Sequence, residues 1–188
     1  AIRFMDDVHY PLEGDWRETG MIEGDGVQNV LREMGLAADS DRGRAAVVRT
    51  LRRLGSQWFP TGPNSTKAMS QVYAILAAVG CAGSDELRMA AVAAIETCAR
   101  LFPSPCAQAG LVALGRAFAS EEAKLLVLGK LIAMVAGNRG AHSPQNGVWA
   151  VELLRGGSEA VFGVVVGNCA HLGLGASPHV CAFVDAMV

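Results

Sequence analysis

Residues 158–181, SEAVFGVVVGNCAHLGLGASPHVC, admit three readings: a zinc site, a membrane-inserting segment, or a helix inside a packed bundle. The zinc ligands would be Cys169, His171, His179 and Cys181, spaced C-x-H-x7-H-x-C. Residues two apart on a helix point about 200° away from each other, and zinc pairs usually leave about two to four residues between ligands. Cys169 and His171 therefore converge only if that turn unwinds, and the second pair has the same defect if Pro178 starts a helix. The membrane reading fails on length. AVFGVVVG is far shorter than a span, and Asn168 and His171 follow it at once. The segment reads as a core helix, with Gly163 and Gly167 allowing a neighbouring helix to come close.

Around this segment, helix signals recur along the chain. Ser84, Ser104-Pro105, Ser120-Glu121, Ser143-Pro144, Ser158-Glu159 and Ser177-Pro178 each pair an N-cap serine with a favourable first turn. Gly55, Gly80, Gly137, Gly156 and Gly173 sit where helices should stop. No stretch alternates like a strand between hairpin signals. The expected fold is all-α, with about nine helices: 26–35, 41–54, 65–79, 84–101, 105–118, 120–136, 144–155, 158–172 and 178–187. Met69, Val72, Tyr73, Leu76 and Val79 form one apolar face of the third, and Leu87, Ala91, Ile95 and Cys98 one face of the fourth. Helices 120–136 and 158–172 are apolar nearly all round, so they are expected to be central and buried. The glycines at 80 and 83 mark the expected boundary between an N-terminal bundle (1–82) and a second bundle (83–188).

Composition sets the class. Of 188 residues, 51% are hydrophobic and 18% charged, enough to bury a core, while aromatics are only 6%. Such a core rests on Ala, Val and Leu, whose small size lets helices approach. The opening residues do not read as a secretion signal. The longest apolar stretch, LLVLGKLIAMVA (125–136), is too short to span a bilayer and carries Lys130. Five cysteines with no CxxC pair suggest buried thiols in a reducing compartment. Four histidines fall in separate segments, no acid pair sits within an apolar run, and GDGVQN (24–29) lacks the last glycine of a dinucleotide fingerprint. Neither catalysis, nor a metal, nor a cofactor is expected.

Charge is segregated. Residues 1–40 hold nine acids and three bases, whereas residues 41–67 hold one acid and six bases. On a helical wheel, Arg42, Arg49, Arg52 and Arg53 form a cationic stripe opposite Val47, Val48, Leu51 and Leu54, with Arg44 out of place on the apolar side. That stripe suits phosphate, in an acidic lipid or a nucleic acid, and the scarcity of aromatics favours headgroup or backbone contact over base stacking. Asp6, Asp7, Glu13 and Asp15 are the acidic counterpart. If the two segments face different sides, copies can associate head to tail into an open array.

Two stretches resemble a known family. EAVFGVVVGNC (159–169) is similar to a segment of orthomyxovirus (influenza-type) matrix proteins, carried by Glu159, Phe162, Gly163, Val164, Val165 and Cys169. GPNSTKAMSQVYAILAAV (62–79) resembles the family's Ser-Pro-x-Thr-Lys helix start through Pro63, Thr66 and Lys67, with one extra residue between Pro and Thr. Order and separation agree over about residues 40–173, with the isavirus branch the expected place within the family. The resemblance implies two packed helical bundles and a structural protein lining the inner face of the virion envelope. It also implies self-association, peripheral binding to anionic membrane, a bridge to the viral ribonucleoprotein, and passage through host cytoplasm and nucleus. The family also implies nuclear import and RNA binding through a Lys/Arg-rich run, and here the sequence departs from it: LGRAFASEEAKLLVLGK (114–130) has only scattered charges. The family's cysteine–histidine motif is broken as well: Val166 stands at its first cysteine. A different class also fits the residues: a monomeric helical adaptor that binds one protein partner through an apolar groove.

Overall fold

The computed structural model describes residues 40–57, 65–137, 143–155 and 157–174, without the side chains of 53–57, 65–68 and 144. The described residues are all-helical: α1 (Asp41–Gln57), α2 (Ser65–Cys81), α3 (Asp85–Ala99), α4 (Pro105–Ala117), α5 (Glu121–Gly137), α6 (Pro144–Leu154) and α7 (Glu159–Gly167). The expected helices 26–35 and 178–187 lie outside them. None of the described helices is long and apolar enough to cross a membrane.

The serine caps explain most of the starts. Ser84 accepts from the Leu87 amide at 3.3 Å, Ser104 from Cys106 at 3.1 Å, Ser120 from Ala123 at 3.4 Å, and Ser143 from Gln145 at 3.4 Å. Each satisfies an amide that the first turn leaves without an intrahelical partner. The glycine stops are less regular. α1 runs through Gly55 to Gln57, and α2 through Gly80 to Cys81. α7 ends early, at Gly167 rather than near 172. There the Asn168 side chain donates to the Val164 carbonyl at 2.8 Å, and its backbone amide turns to Val165 at 3.2 Å. An asparagine that bonds its own helix in this way offers the chain an exit. Residues 169–174 then close as a Schellman turn: Leu174 N–H reaches Cys169 O at 2.8 Å and Gly173, at φ 72°, reaches Ala170 O at 3.3 Å.

The chain divides into two compact units, Ala1–Phe102 and Pro103–Val188. The sequence boundary at residue 82 instead falls within the first unit. Gly80–Ser84 is a short turn, closed by Gly83 N–H to Gly80 O at 3.1 Å, and a short connection makes the flanking helices neighbours. In the first unit α3 packs against both α1 and α2, which also pack together. The two expected apolar faces are its core: Met69, Val72, Tyr73, Leu76 and Val79 from α2 meet Leu87, Ala91, Ile95 and Cys98 from α3, all buried. Tyr73 is wholly enclosed, and its hydroxyl donates to the Phe102 carbonyl at 2.6 Å.

In the second unit α4 packs on α5 and α6, and α7 packs on α6 and α5. α4 and α6 approach closely where Gly115 lies against Trp149. A Cβ at residue 115 would stand 2.3 Å from the indole ring, and Trp149 is 1% exposed. An ion pair of Arg116 with both carboxylate oxygens of Glu152, at 2.7 and 2.8 Å, ties the same helices at the surface. The start of α7 is held from a distance. Ser158 makes no cap bond of its own; its amide and hydroxyl donate to Glu121 at 3.1 and 2.5 Å, fixing the beginnings of α5 and α7 together.

Two expectations about burial are corrected. α5 is not buried all round: Val127, Leu128, Leu131 and Val135 face the core, but Leu126 is 50% exposed and Gly129, Ala133 and Ala136 are exposed. α7 buries only Val161 and Val165, and a Cβ at Gly163 or Gly167 would meet nothing within 4 Å. Among the described residues, those glycines do not serve close helix packing. Hydrophobicity around a whole helix shows that burial is affordable on every side, not that neighbours exist to provide it.

Gly115→Ala forces the ring of Trp149 aside, and overpacking of this kind costs about 1–3 kcal/mol. Gly163→Ala, in open space within α7, should instead gain roughly 0.5–1 kcal/mol from reduced chain entropy. Urea denaturation of both variants tests the pair; equal stabilities would contradict the close approach. The hydrogen bonds from Ser158 hold the Glu121 carboxyl below its usual range, so its stabilisation is full above the ordinary glutamate value and is lost as pH falls through the lowered one. Thermal midpoints of wild type and Glu121→Gln should therefore converge in acid; a constant gap from pH 7 to pH 3 would contradict it.

Candidate functional site

α1 starts where Ser40 accepts from the Gly43 amide at 3.2 Å and its carbonyl takes the Arg44 amide at 2.8 Å. Asp41 in the first turn suits the positive end of the helix dipole. Ala46, Val47, Val48 and Leu51 are all buried against α2 and α3. With that face fixed inward, the helical period turns Arg42, Arg49 and Arg52 outward, and all three are exposed. Arg42 and Arg49 also interact within the chain. Arg44, the misplaced cation of the wheel, is half-buried and donates to the Asp41 carboxylate at 3.0 Å. This i,i+3 partner keeps the charge paired at the edge of the core.

The structure thus brings three of the four expected basic residues onto one outward face. The fourth, Arg53, is helical, but its side chain lies outside the described set, as do Asp6, Asp7, Glu13 and Asp15. What such a face can do is electrostatic. Guanidinium groups projecting from a helix whose other side is anchored present donors to phosphate or carboxylate oxygens at fixed spacing. Beneath it, the Cys98 thiol is buried and donates to the Leu51 carbonyl at 3.9 Å. Burial pushes this thiol up to about 11, against the opposing pull of the Arg52 charge.

The regular helix assumed for Cys169 and His171 is absent, since both lie in the turns after α7. Cys169 points its sulfur at the Val165 carbonyl, 3.4 Å away, while His171 is exposed. His179 and Cys181 lie outside the described residues, and among those described no three His, Cys, Asp or Glu side chains converge as metal ligands. The thiols are not uniformly buried either: Cys98 is enclosed, Cys81 and Cys169 are half-buried, and Cys106 is exposed.

A polar cluster in the second unit escaped the sequence reading. Gln108, 0% exposed, accepts through Oε1 from the Ser143 amide at 3.0 Å and from Asn146 Nδ2 at 2.7 Å. It fixes the start of α6 against α4, while the buried Asn146 Oδ1 has no hydrogen-bond partner among the described residues. The signal was available, because Gln108 shares a helical stripe with Leu111 and Gly115, where a polar residue needs a partner. No protein-family model, curated protein or solved structure matches this chain.

A thiol titrating near 11 is about a hundredfold less ionised at pH 8 than the same thiol at its ordinary value of 9.0, and only the thiolate alkylates readily. Iodoacetamide at pH 8 should therefore label exposed Cys106 first and Cys98 only after denaturant is added, as mapped by mass spectrometry. Rapid native labelling of Cys98 would show that α1 does not stay packed on α3.

Proposed function

We propose that this chain is a matrix-type structural protein that binds anionic membrane peripherally and associates with its own copies. The observation that supports it is the outward-facing set Arg42, Arg49 and Arg52 on a helix whose opposite face is buried. With Arg53 they form the headgroup-binding surface. In this reading the two compact units correspond to the N-terminal and middle bundles of the orthomyxovirus matrix fold. The motif at 62–79 then spans the start of α2 at Ser65, and the motif at 159–169 covers α7.

The remaining activities belong to the same reading. The acidic segment 1–40, with Asp6, Asp7, Glu13 and Asp15, meets the basic segment of a neighbouring copy, and the resulting head-to-tail contact extends as a layer under the envelope. The viral ribonucleoprotein is the partner on the other side of that layer. Electrostatic contacts of this type set register and association rate more than affinity.

Basic residues at an anionic surface contribute about 1 kcal/mol each and are screened by salt within a Debye length. Sedimentation with phosphatidylserine vesicles should show binding that weakens steeply with added salt. Changing Arg42, Arg49 and Arg52 together to glutamate should lower the partition constant at least about a hundredfold. Equal binding to phosphatidylcholine vesicles, or no loss in the reversed variant, rules out the lipid role.

A further inference from the structure

One face of α5 is left uncovered among the described residues, and its organisation is its own complement. Leu126 stands 50% exposed at the middle, beside Gly129, whose missing side chain leaves open space: a Cβ there would meet nothing within 4 Å. Ala133 continues the same stripe, one turn beyond Gly129, and is also exposed. One face thus carries a projecting side chain beside two small residues. Glu122 and Lys130 lie four residues before and four residues after Leu126, at the two ends of this apolar patch.

We infer that α5 is a two-fold contact between copies of this chain, in which two α5 helices pack antiparallel about Leu126. An isologous contact requires a patch complementary to itself, and this arrangement meets the requirement twice. In the antiparallel pair, the Leu126 side chains of the two copies meet at the two-fold axis, and the small Gly129 of each copy, one turn away, leaves room for them. The same reversal brings the Glu122 of each copy to the level of the Lys130 of its partner, because both stand one helical turn, about 6 Å, from the centre. Lys130 also interacts within its own chain, and an ammonium with three donors can serve both. A parallel arrangement would set glutamate beside glutamate and lysine beside lysine. With one carboxylate and one ammonium at its ends, the patch has no net charge to draw an anionic membrane.

Size sets the strength of the contact. α5 has 17 residues, or about 25 Å of helix, and a single helix pair of that length buries less than the roughly 1,000 Å² expected of a stable interface. The dimer is therefore weak in dilute solution. The inference names one contact for the self-association proposed above and takes only its setting from that reading. It involves neither the arginines of α1 nor lipid, so the two readings fail separately.

Sedimentation equilibrium without lipid, from about 1 µM to about 1 mM, reads the association directly. Wild type should shift from monomer toward dimer over this range. Leu126→Glu should raise the dissociation constant about tenfold or more while circular dichroism and thermal midpoint stay as in wild type. Glu122→Lys and Lys130→Glu should each weaken the dimer, and the double variant, which restores opposite charges across the two-fold, should recover it. A wild type that remains monomeric throughout overturns the inference, whether the face is covered by its own chain or by nothing. So does undiminished association in Leu126→Glu, or a double variant no better than its parents. If Leu126→Glu changes only binding to vesicles, the occupant is a membrane and the two-fold contact is wrong.

Discussion

The second unit depends on Trp149 having room beside α4, and it has that room because residue 115 carries no side chain. A Cβ there would stand 2.3 Å from the indole, so the helix axes could not hold their separation with any larger residue. The constraint reaches further than one contact. Trp149 lies one turn after Asn146 on α6, and Asn146 donates to Gln108, which lies two turns before Gly115 on α4. The indole and the buried amides thus set the same pair of helices at two heights. One sets distance by exclusion, the other sets register by hydrogen bonds. An amide left without its partner in an apolar interior costs more than a lost apolar contact of similar area, so slippage of α6 along α4 is penalised at both levels.

What could be read from the sequence was local. The faces Met69–Val79 and Leu87–Cys98 were legible because one helix is enough to show which residues share a stripe, and both are buried. Helix starts were legible where the cap lies in the same segment, as at Ser84 and Ser143. The cap of α7 was not, because Glu121 is 37 residues away from Ser158 and no local pattern encodes that meeting. The boundary expected at residue 82 rested on the glycines at 80 and 83, and they stand in a turn short enough to make α2 and α3 neighbours. The surroundings of Gly163 and of Leu126 depend on which other elements arrive, and a uniformly apolar helix carries no mark of its unvisited side.

The basic face illustrates a second limit. A wheel places Arg42, Arg49 and Arg52 together, but it cannot say whether the opposite residues find a core. Once Val47 and Leu51 are enclosed, the direction of the arginines is no longer free, and the entropy of orienting the helix is lost in folding instead of in binding. A preoriented cluster loses less on meeting a charged surface than the same residues in a flexible chain. The wheel's one anomaly, Arg44, is resolved at short range by Asp41. Cationic side chains at the rim of a core need such a partner, whereas those farther out are supported by water.

Weak contacts become consequential when copies share a surface. A helix pair too small to hold two molecules together in dilute solution acts differently once both are confined to one plane, because confinement raises their effective concentration and part of the orientational cost of association is already met. A two-fold contact alone closes at a dimer, since it uses the same patch on both partners; growth needs a second contact through different patches. In the proposed function, the charge division between residues 1–40 and 41–67 would supply that second kind, because an acidic patch seeks a basic one and not its own copy. One isologous and one heterologous contact, each marginal alone, are sufficient for an extended array. In the proposed layer such weakness would have a use: an array made of marginal contacts forms where a surface concentrates the chains and comes apart when they leave it.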